Sequence, residues 1–527
     1  MSSAVNSYYL QNQCSSSHFA SYPSPNVKPP ASQTPSTTFS KTLPHDSLGR
    51  PSAADLALFH KASGTMTVAD WQNVPRGGTA KLVDAVCCGL PTLAGADAMA
   101  LVSYDTPDLS LKPVVAGSTY HANLLEEVWA LMLARDVPYS FFYERSSESH
   151  ALLDSIIANL AAMSNASALF PKNALSGVLT RRELFRGRSV GDLQGPYISQ
   201  FMLLPIPTYE TPIEQKFLMP PMGSGSASEY MKTMPTYLAV ANGTGQEPKA
   251  PFEAVPRHVV TGRDYAQVVH NDFCYEPYFH AAKIIAGIPG AFSLPQSPYN
   301  SSTVNRSAAF VNLAPADVMS AVAQGCHIAL VGAWKHKWWN LQIRPEELAK
   351  EVEAWRMTGQ NPGQLNNELL TSPMLSMVLA AKGNALLNQC YPEGCPAHPS
   401  WPAGHATVAG CCAAILKAYV NPTKRMPAMY VPHESGRFLV PVDVTEFGET
   451  QNPLVLDEID KLASNISLSR NTAGVHYRSD GEFGLHLGEM LAVEFLRDKV
   501  QSYKQDGFVF SFSLRLRNGT FVTISPQ

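Results

Sequence analysis

Three short stretches carry residues suited to one chemistry. They are Lys337-Trp338-Trp339-Asn340-Leu341-Gln342-Ile343-Arg344-Pro345, His398-Pro399-Ser400-Trp401-Pro402-Ala403-Gly404-His405, and Ser469-Arg470-Asn471-Thr472-Ala473-Gly474-Val475-His476. Pro399 and Pro402 bias the chain toward extended geometry, so a helix can begin only with the apolar run at Gly404. The first amides of a helix lack intrahelical acceptors and sit at the positive end of its dipole, where they attract an anion. A glycine there lets a ligand reach the backbone, and His405 beside it can move protons near neutral pH. Adding the guanidinium forks of Arg344 and Arg470 and the point charge of Lys337 gives a set able to grip a tetrahedral oxyanion. With His405 and His476, one imidazole would stand at the central atom and another would transfer protons.

Helices must position these groups. Apolar residues at three and four spacing predict helices within 121–136, 148–166, 262–285, 316–339, 345–359, 376–389, 454–467 and 481–500, as well as in the run after Gly404,. Asp46 or Ser52 would cap a first helix. If the helix ending near Trp339 persists to Pro345, Lys337 and Arg344 lie on nearly the same face, two turns apart. His336 is then turned off that face and is read as structural. Asp272, in His270-Asn271-Asp272-Phe273, is a candidate to pair with Arg470 or to orient a histidine, with capping or a loop contact as the plain alternative. Only the tail around Asn518-Gly519 alternates with period two, as a β-hairpin does. The fold class is mostly α, with two successive helix groups, long irregular connections and a short C-terminal β-hairpin.

Taken together, Lys-x6-Arg-Pro, Pro-x-Gly-His and Ser-Arg-x5-His resemble the pattern shared by vanadium-dependent haloperoxidases and the acid-phosphatase superfamily. Over most of the chain the likeness is to the algal and cyanobacterial bromoperoxidase branch, through LPHDSLGRP, GPYISQFML, RDYAQVVHNDF and HPSWPAGHATVAG. The resemblance implies two four-helix-bundle-like groups with the three stretches converging at one end of the second. It implies vanadate as cofactor, with His476 as its metal ligand and Lys337, Arg344, Arg470 and the Gly404 amide holding its oxygens. His405 is then the acid-base residue and accepts the proton of hydrogen peroxide. Lys337 polarises the oxygen that halide attacks. His398 stands where bromoperoxidases resemble one another in having histidine, and it would titrate near neutral pH; Trp334 would line the same mouth. Ala403 stands where the family usually has serine, so one side-chain hydrogen bond to the oxyanion is missing. The expected activity is oxidation of bromide or iodide by hydrogen peroxide to hypohalous acid, which halogenates small organic molecules. A phosphohydrolase working through a phosphohistidine on His476 is the alternative from a different reaction class. The resembled branch also implies a homodimer or larger homo-oligomer.

Composition limits the other possibilities. Of 527 residues 45% are hydrophobic and 16% charged, so most of the chain must pack,. A net charge of −4 offers no basic face for nucleic acid,. No membrane partner is expected, because no stretch reaches the roughly 20 continuous apolar residues of a span, and the polar start lacks a secretory pattern. The reading is soluble, with the cytoplasm favoured. Residues 1–42, rich in Ser, Pro, Gln and Asn, read as an arm that is disordered or wraps a neighbouring subunit. Residues 43–258 read as an N-terminal helical half, irregular from about 166 onward, and 259–527 as a C-terminal helical half carrying the site. Cys87-Cys88 and Cys411-Cys412 are expected as reduced core residues, while Cys390 and Cys395 are spaced to close a short loop.

Overall fold

The structure is a computed structural model, and it describes residues 41, 43–65, 67–78, 114–143, 150–164, 169–170, 178–300, 309–361, 365–503 and 509–526. The arm up to residue 40 and Cys87-Cys88 lie outside the described residues. Lys41, at the end of that arm, is buried against Glu346 at 3.0 Å. In chain order the longer helices are α1 Ala53–Thr65, α2 Thr119–Ala134, α3 Ala151–Ala161, α4 Met234–Ala241, α5 Gly262–Val268, α6 Glu276–Ala286, α7 Pro315–Asn340, α8 Pro345–Thr358, α9 Pro373–Lys382, α10 Gly404–Tyr419, α11 Val455–Thr472 and α12 Arg478–Gln501. Ser52 caps α1 through the Asp55 amide at 3.1 Å, while Asp46 instead closes its own turn on the Leu48 and Arg50 amides.

Two groups of helices form. In the second, α10 lies at the centre, every residue but His405 buried, and packs on α7, α11 and α12. In the first, α2 packs on α3, α8 and α9, so the chain crosses from one group to the other after α7 and returns at α10. Arg478, at the start of α12, ties the groups together through a buried bidentate pair with Glu127 of α2, Nη2 to Oε1 at 2.6 Å and Nε to Oε2 at 3.0 Å. The α10–α12 crossing depends on glycine. A Cβ at Gly488 would stand 2.0 Å from the Thr407 carbonyl oxygen, and one at Gly410 would stand 2.1 Å from that of Leu485. Backbone meets backbone there, and the approach sets the start of α10 against the start of α12.

The structure departs from the sequence reading in several places. The predicted helix over 262–285 breaks between α5 and α6. Pro277 is tolerated only in a first turn, so the helix must restart just before it, and Asp272 falls in the gap,. Helix α7 stops at Asn340 because Leu341 turns into the left-handed region at φ 52°,. Pro345 therefore begins α8 instead of ending α7. By length and composition Pro315–Lys337 is apolar enough to cross a membrane, contrary to the expectation above, but it serves here as a core helix against α6, α10 and α12. Helix α4 arises within the stretch read as irregular, its Thr233–Thr236 capping box supplying the start,. The expected C-terminal hairpin pairs Phe512–Arg515 with Phe521–Ile524, and a second, unpredicted one pairs Met429–Pro432 with Leu439–Val442. Cys411 and Cys412 are buried and unpaired, and Cys390 and Cys395 are not bridged.

Candidate functional site

The three stretches meet where α7 ends and α10 and α12 begin. Arg344 is the extended N-cap of α8, so the left-handed turn at Leu341, not a shared helix face, brings it to Lys337. Lys337 is fully buried and donates its Nζ protons to the carbonyls of Pro399 at 2.8 Å and Ser400 at 2.9 Å. Arg344, also fully buried, donates from Nε to the His398 carbonyl at 3.0 Å, from Nη2 to His398 Nδ1 at 3.0 Å, and from Nη1 to the Val475 carbonyl at 2.7 Å and His476 Nε2 at 3.0 Å. Arg470, on the last turn of α11, donates to the Val269 carbonyl at 2.6 Å and lies over the Tyr391 ring.

His476 is buried, and its Nδ1 is 2.9 Å from Asp480 Oδ2. A carboxylate only accepts, so the proton sits on Nδ1 and the Nε2 lone pair faces the cations. Burial, followed by the charges of Arg344, Lys337 and Arg470, holds its pKa well below the ordinary value, and His476 stays neutral,. The same burial and cations hold His398 well below its ordinary value. His398 therefore does not titrate near neutral pH as the sequence suggested. Trp334 lies beside it, ring centroids 4.5 Å apart. His336 packs on Trp401 and Phe483, away from Lys337.

His405 is the part-exposed exception on α10, with its Nε2 2.7 Å from Asp272 Oδ1. Burial alone would lower its pKa, but the Asp272 carboxylate, with help from the nearby Cys274, raises it to about 9. His405 is thus already protonated at neutral pH, a correction to its reading as a ready proton acceptor. Of the roles weighed for Asp272, orienting a histidine is the one its geometry fills. Arg470 connects the two parts of the site, since its charge acts on both His476 and His405.

Gly404 opens α10 without a side-chain cap, because Ala403 occupies the N-cap position. A Cβ at Gly404 would meet only Leu330 Cδ2, at 3.9 Å, so packing does not demand glycine here. The space in front of its amide is open enough for an anion to reach the backbone,. Three cations, a neutral imidazole with its lone pair turned toward them, and an uncapped helix start suit a tetrahedral oxyanion.

Sequence reasoning missed the residues that clamp His476. The Asp480 carboxylate also accepts from Gln342 Nε2 at 3.1 Å, the Tyr477 amide at 3.1 Å and the Ser400 hydroxyl. The signal was present in His476-x3-Asp480, a spacing that puts two side chains one turn apart at a helix start.

Several known proteins resemble this chain. Residues 317–506 match the family model described as the VCPO second helical-bundle domain. A vanadium-dependent bromoperoxidase of Ascophyllum nodosum is 27% identical over 509 residues, spanning 92% of this chain and 86% of that protein. One of Corallina pilulifera is 27% identical over 481 residues, spanning 82% and 77% respectively. The solved structure of a second vanadate-dependent bromoperoxidase from Ascophyllum nodosum, a homohexamer, superposes with a TM-score of 0.76 at 25% identity, covering 93% of this chain and 84% of that one.

Proposed function

We propose, from its likeness to vanadium-dependent bromoperoxidases over most of its length, that this chain is a vanadium-dependent haloperoxidase that uses hydrogen peroxide to oxidise bromide or iodide to hypohalous acid, which halogenates small electron-rich organic molecules. The observation that carries the proposal is His476. It is neutral, its Nδ1 is clamped by Asp480 at 2.9 Å, and Nε2 is turned toward Arg344. Such an imidazole suits a metal ligand, and a carboxylate on its other nitrogen is the usual means of fixing one. Vanadate would be held by His476 Nε2, with Lys337, Arg344, Arg470 and the Gly404 amide on its oxygens. When bound, it supplies a Lewis-acid centre that activates hydrogen peroxide toward halide.

The chain's own residues do the rest. The buried cations neutralise the oxyanion in a site largely shut off from water, where each charge acts more strongly than at the surface. Arg344 has donors for two jobs: Nη2 and Nε hold His398 and its carbonyl, while Nη1 can turn from His476 Nε2 to an oxygen of the bound anion. His405 begins as an imidazolium sharing its Nε2 proton with Asp272. It acts first as a donor and accepts a proton only after giving that one up. Steps that need a base therefore speed up as pH rises toward 9,. His398 and Trp334, ring centroids 4.5 Å apart, pack beside the cage where halide would approach.

A homo-oligomer belongs to the same proposal and is supported by the homohexameric relative. A monomeric mass in light scattering would count against it. The deciding experiment loads the purified protein with vanadate and assays peroxide-dependent bromination of a phenol dye beside phosphate-ester hydrolysis. Bromination is expected. Hydrolysis without bromination would overturn the proposal in favour of a phosphohydrolase using the same cage.

A further inference from the structure

The gap between α5 and α6 brings a third group to His405 besides Asp272. Cys274, half-buried and unpaired, places Sγ 3.8 Å from His405 Nε2. A carboxylate oxygen, a thiol sulfur and an imidazole nitrogen thus lie within 4.8 Å of one another. A second observation points to a ligand. The Asp272 side chain is 6% exposed, and its Oδ2 makes no hydrogen bond among the described residues. A buried carboxylate oxygen left without a donor costs free energy, which a cation would relieve. Sulfur, nitrogen and oxygen together select a borderline-soft ion. Calcium and magnesium demand six or more oxygens, whereas zinc binds four ligands drawn from these types.

We propose that Asp272, Cys274 and His405 form a binding site for a divalent cation of the zinc class, its remaining position open to solvent beside the part-exposed His405. As the bonds to the cation form, Cys274 gives up its thiol proton and His405 its Nε2 proton, both to solvent, so binding tightens as pH rises. The nearby Arg470 opposes the cation, and an oxyanion held in the cage offsets that repulsion. With Nε2 occupied by the metal, His405 no longer exchanges a proton, and zinc switches halogenation off. The inhibition rests on the haloperoxidase reading; the binding does not.

The test uses the full-length chain with Co2+ alone as probe, because a thiolate-to-cobalt charge-transfer band reports a sulfur ligand directly. Wild type should give the band at one equivalent, and Cys274→Ser should give none. In equilibrium dialysis with Zn2+, Cys274→Ser and Asp272→Asn should each bind at least tenfold more weakly. A missing band in wild type, or the same band in Cys274→Ser, would overturn the site. Zn2+ should also inhibit vanadate-loaded wild type, reversibly by chelator, and inhibit Cys274→Ser far less, each relative to its own metal-free rate. Equal inhibition of both would overturn the switch. A protein that gives the Cys274-dependent band but never brominates would support the site while refuting the haloperoxidase reading.

Discussion

Asp272→Asn keeps the shape of the side chain and removes its charge, which isolates what holds His405 in its imidazolium form. With Asp272 Oδ1 2.7 Å from Nε2, His405 is raised from 6.5 to about 9. That shift corresponds to about 3 kcal/mol in favour of the charged form. An amide supplies no charge, and burial and Arg470 still push downward against what Cys274 contributes, so the variant's His405 should titrate well below the wild-type value. Because the folded value is raised, the stabilisation is fully present below 6.5 and is lost as pH climbs through about 9,. The wild type should therefore lose about 3 kcal/mol of stability over that window, and the variant should not. Acylation of His405 by diethyl pyrocarbonate, followed peptide by peptide in mass spectrometry, reads the neutral fraction of the imidazole against pH. The acid limb of the bromination profile should move down in step. An Asp272→Asn protein whose His405 midpoint stays near 9 would refute the reasoning, because the carboxylate could then not be its cause.

Three further outcomes are expected. His476→Ala should lose vanadium on dialysis, measured by elemental analysis, whereas His405→Ala should keep it and lose turnover; equal retention in wild type and His476→Ala would reject the ligand assignment. Ala403→Ser should tighten vanadate binding by roughly the 0.5–1.5 kcal/mol of a hydrogen bond, and the unmodified enzyme, one donor short, should oxidise bromide and iodide but show little chlorination near neutral pH. Gly488→Ala would set a Cβ 2.0 Å from the Thr407 carbonyl oxygen, so thermal denaturation should show a loss of about 1–3 kcal/mol or more.

The site was legible in the sequence because each of its main residues announces itself through local chemistry. Pro402 and Gly404 declare a helix start, and an arginine, a lysine or a histidine in an apolar setting is conspicuous. The means of convergence was less legible. Lys337 and Arg344 meet through Leu341 at φ 52°, a conformation that nothing in the leucine side chain advertises. The hairpin at Met429–Pro432 was missed because its strands are four residues long and each contains a proline, so no run of alternation forms,. Asp272 was recognised as a candidate, but its partner was left open. The break at Pro277 that aims it at His405 lies inside a stretch whose apolar spacing reads as one continuous helix.

Two carboxylates serve two histidines here, with opposite results. Asp480 divides its lone pairs among His476, Ser400, Gln342 and the Tyr477 amide, so its charge is already shared when it meets the imidazole. Burial, and after it the three cations, outweigh what remains, and His476 stays neutral,. Asp272 gives Oδ1 to His405 and leaves Oδ2 without a hydrogen bond among the described residues. Of the cage cations only Arg470 is among the main charges acting on His405, and His405 is driven up to about 9. A ligand must offer a lone pair and an acid must carry a proton. Burial and cations around His476, against one close carboxylate beside His405, separate these two roles.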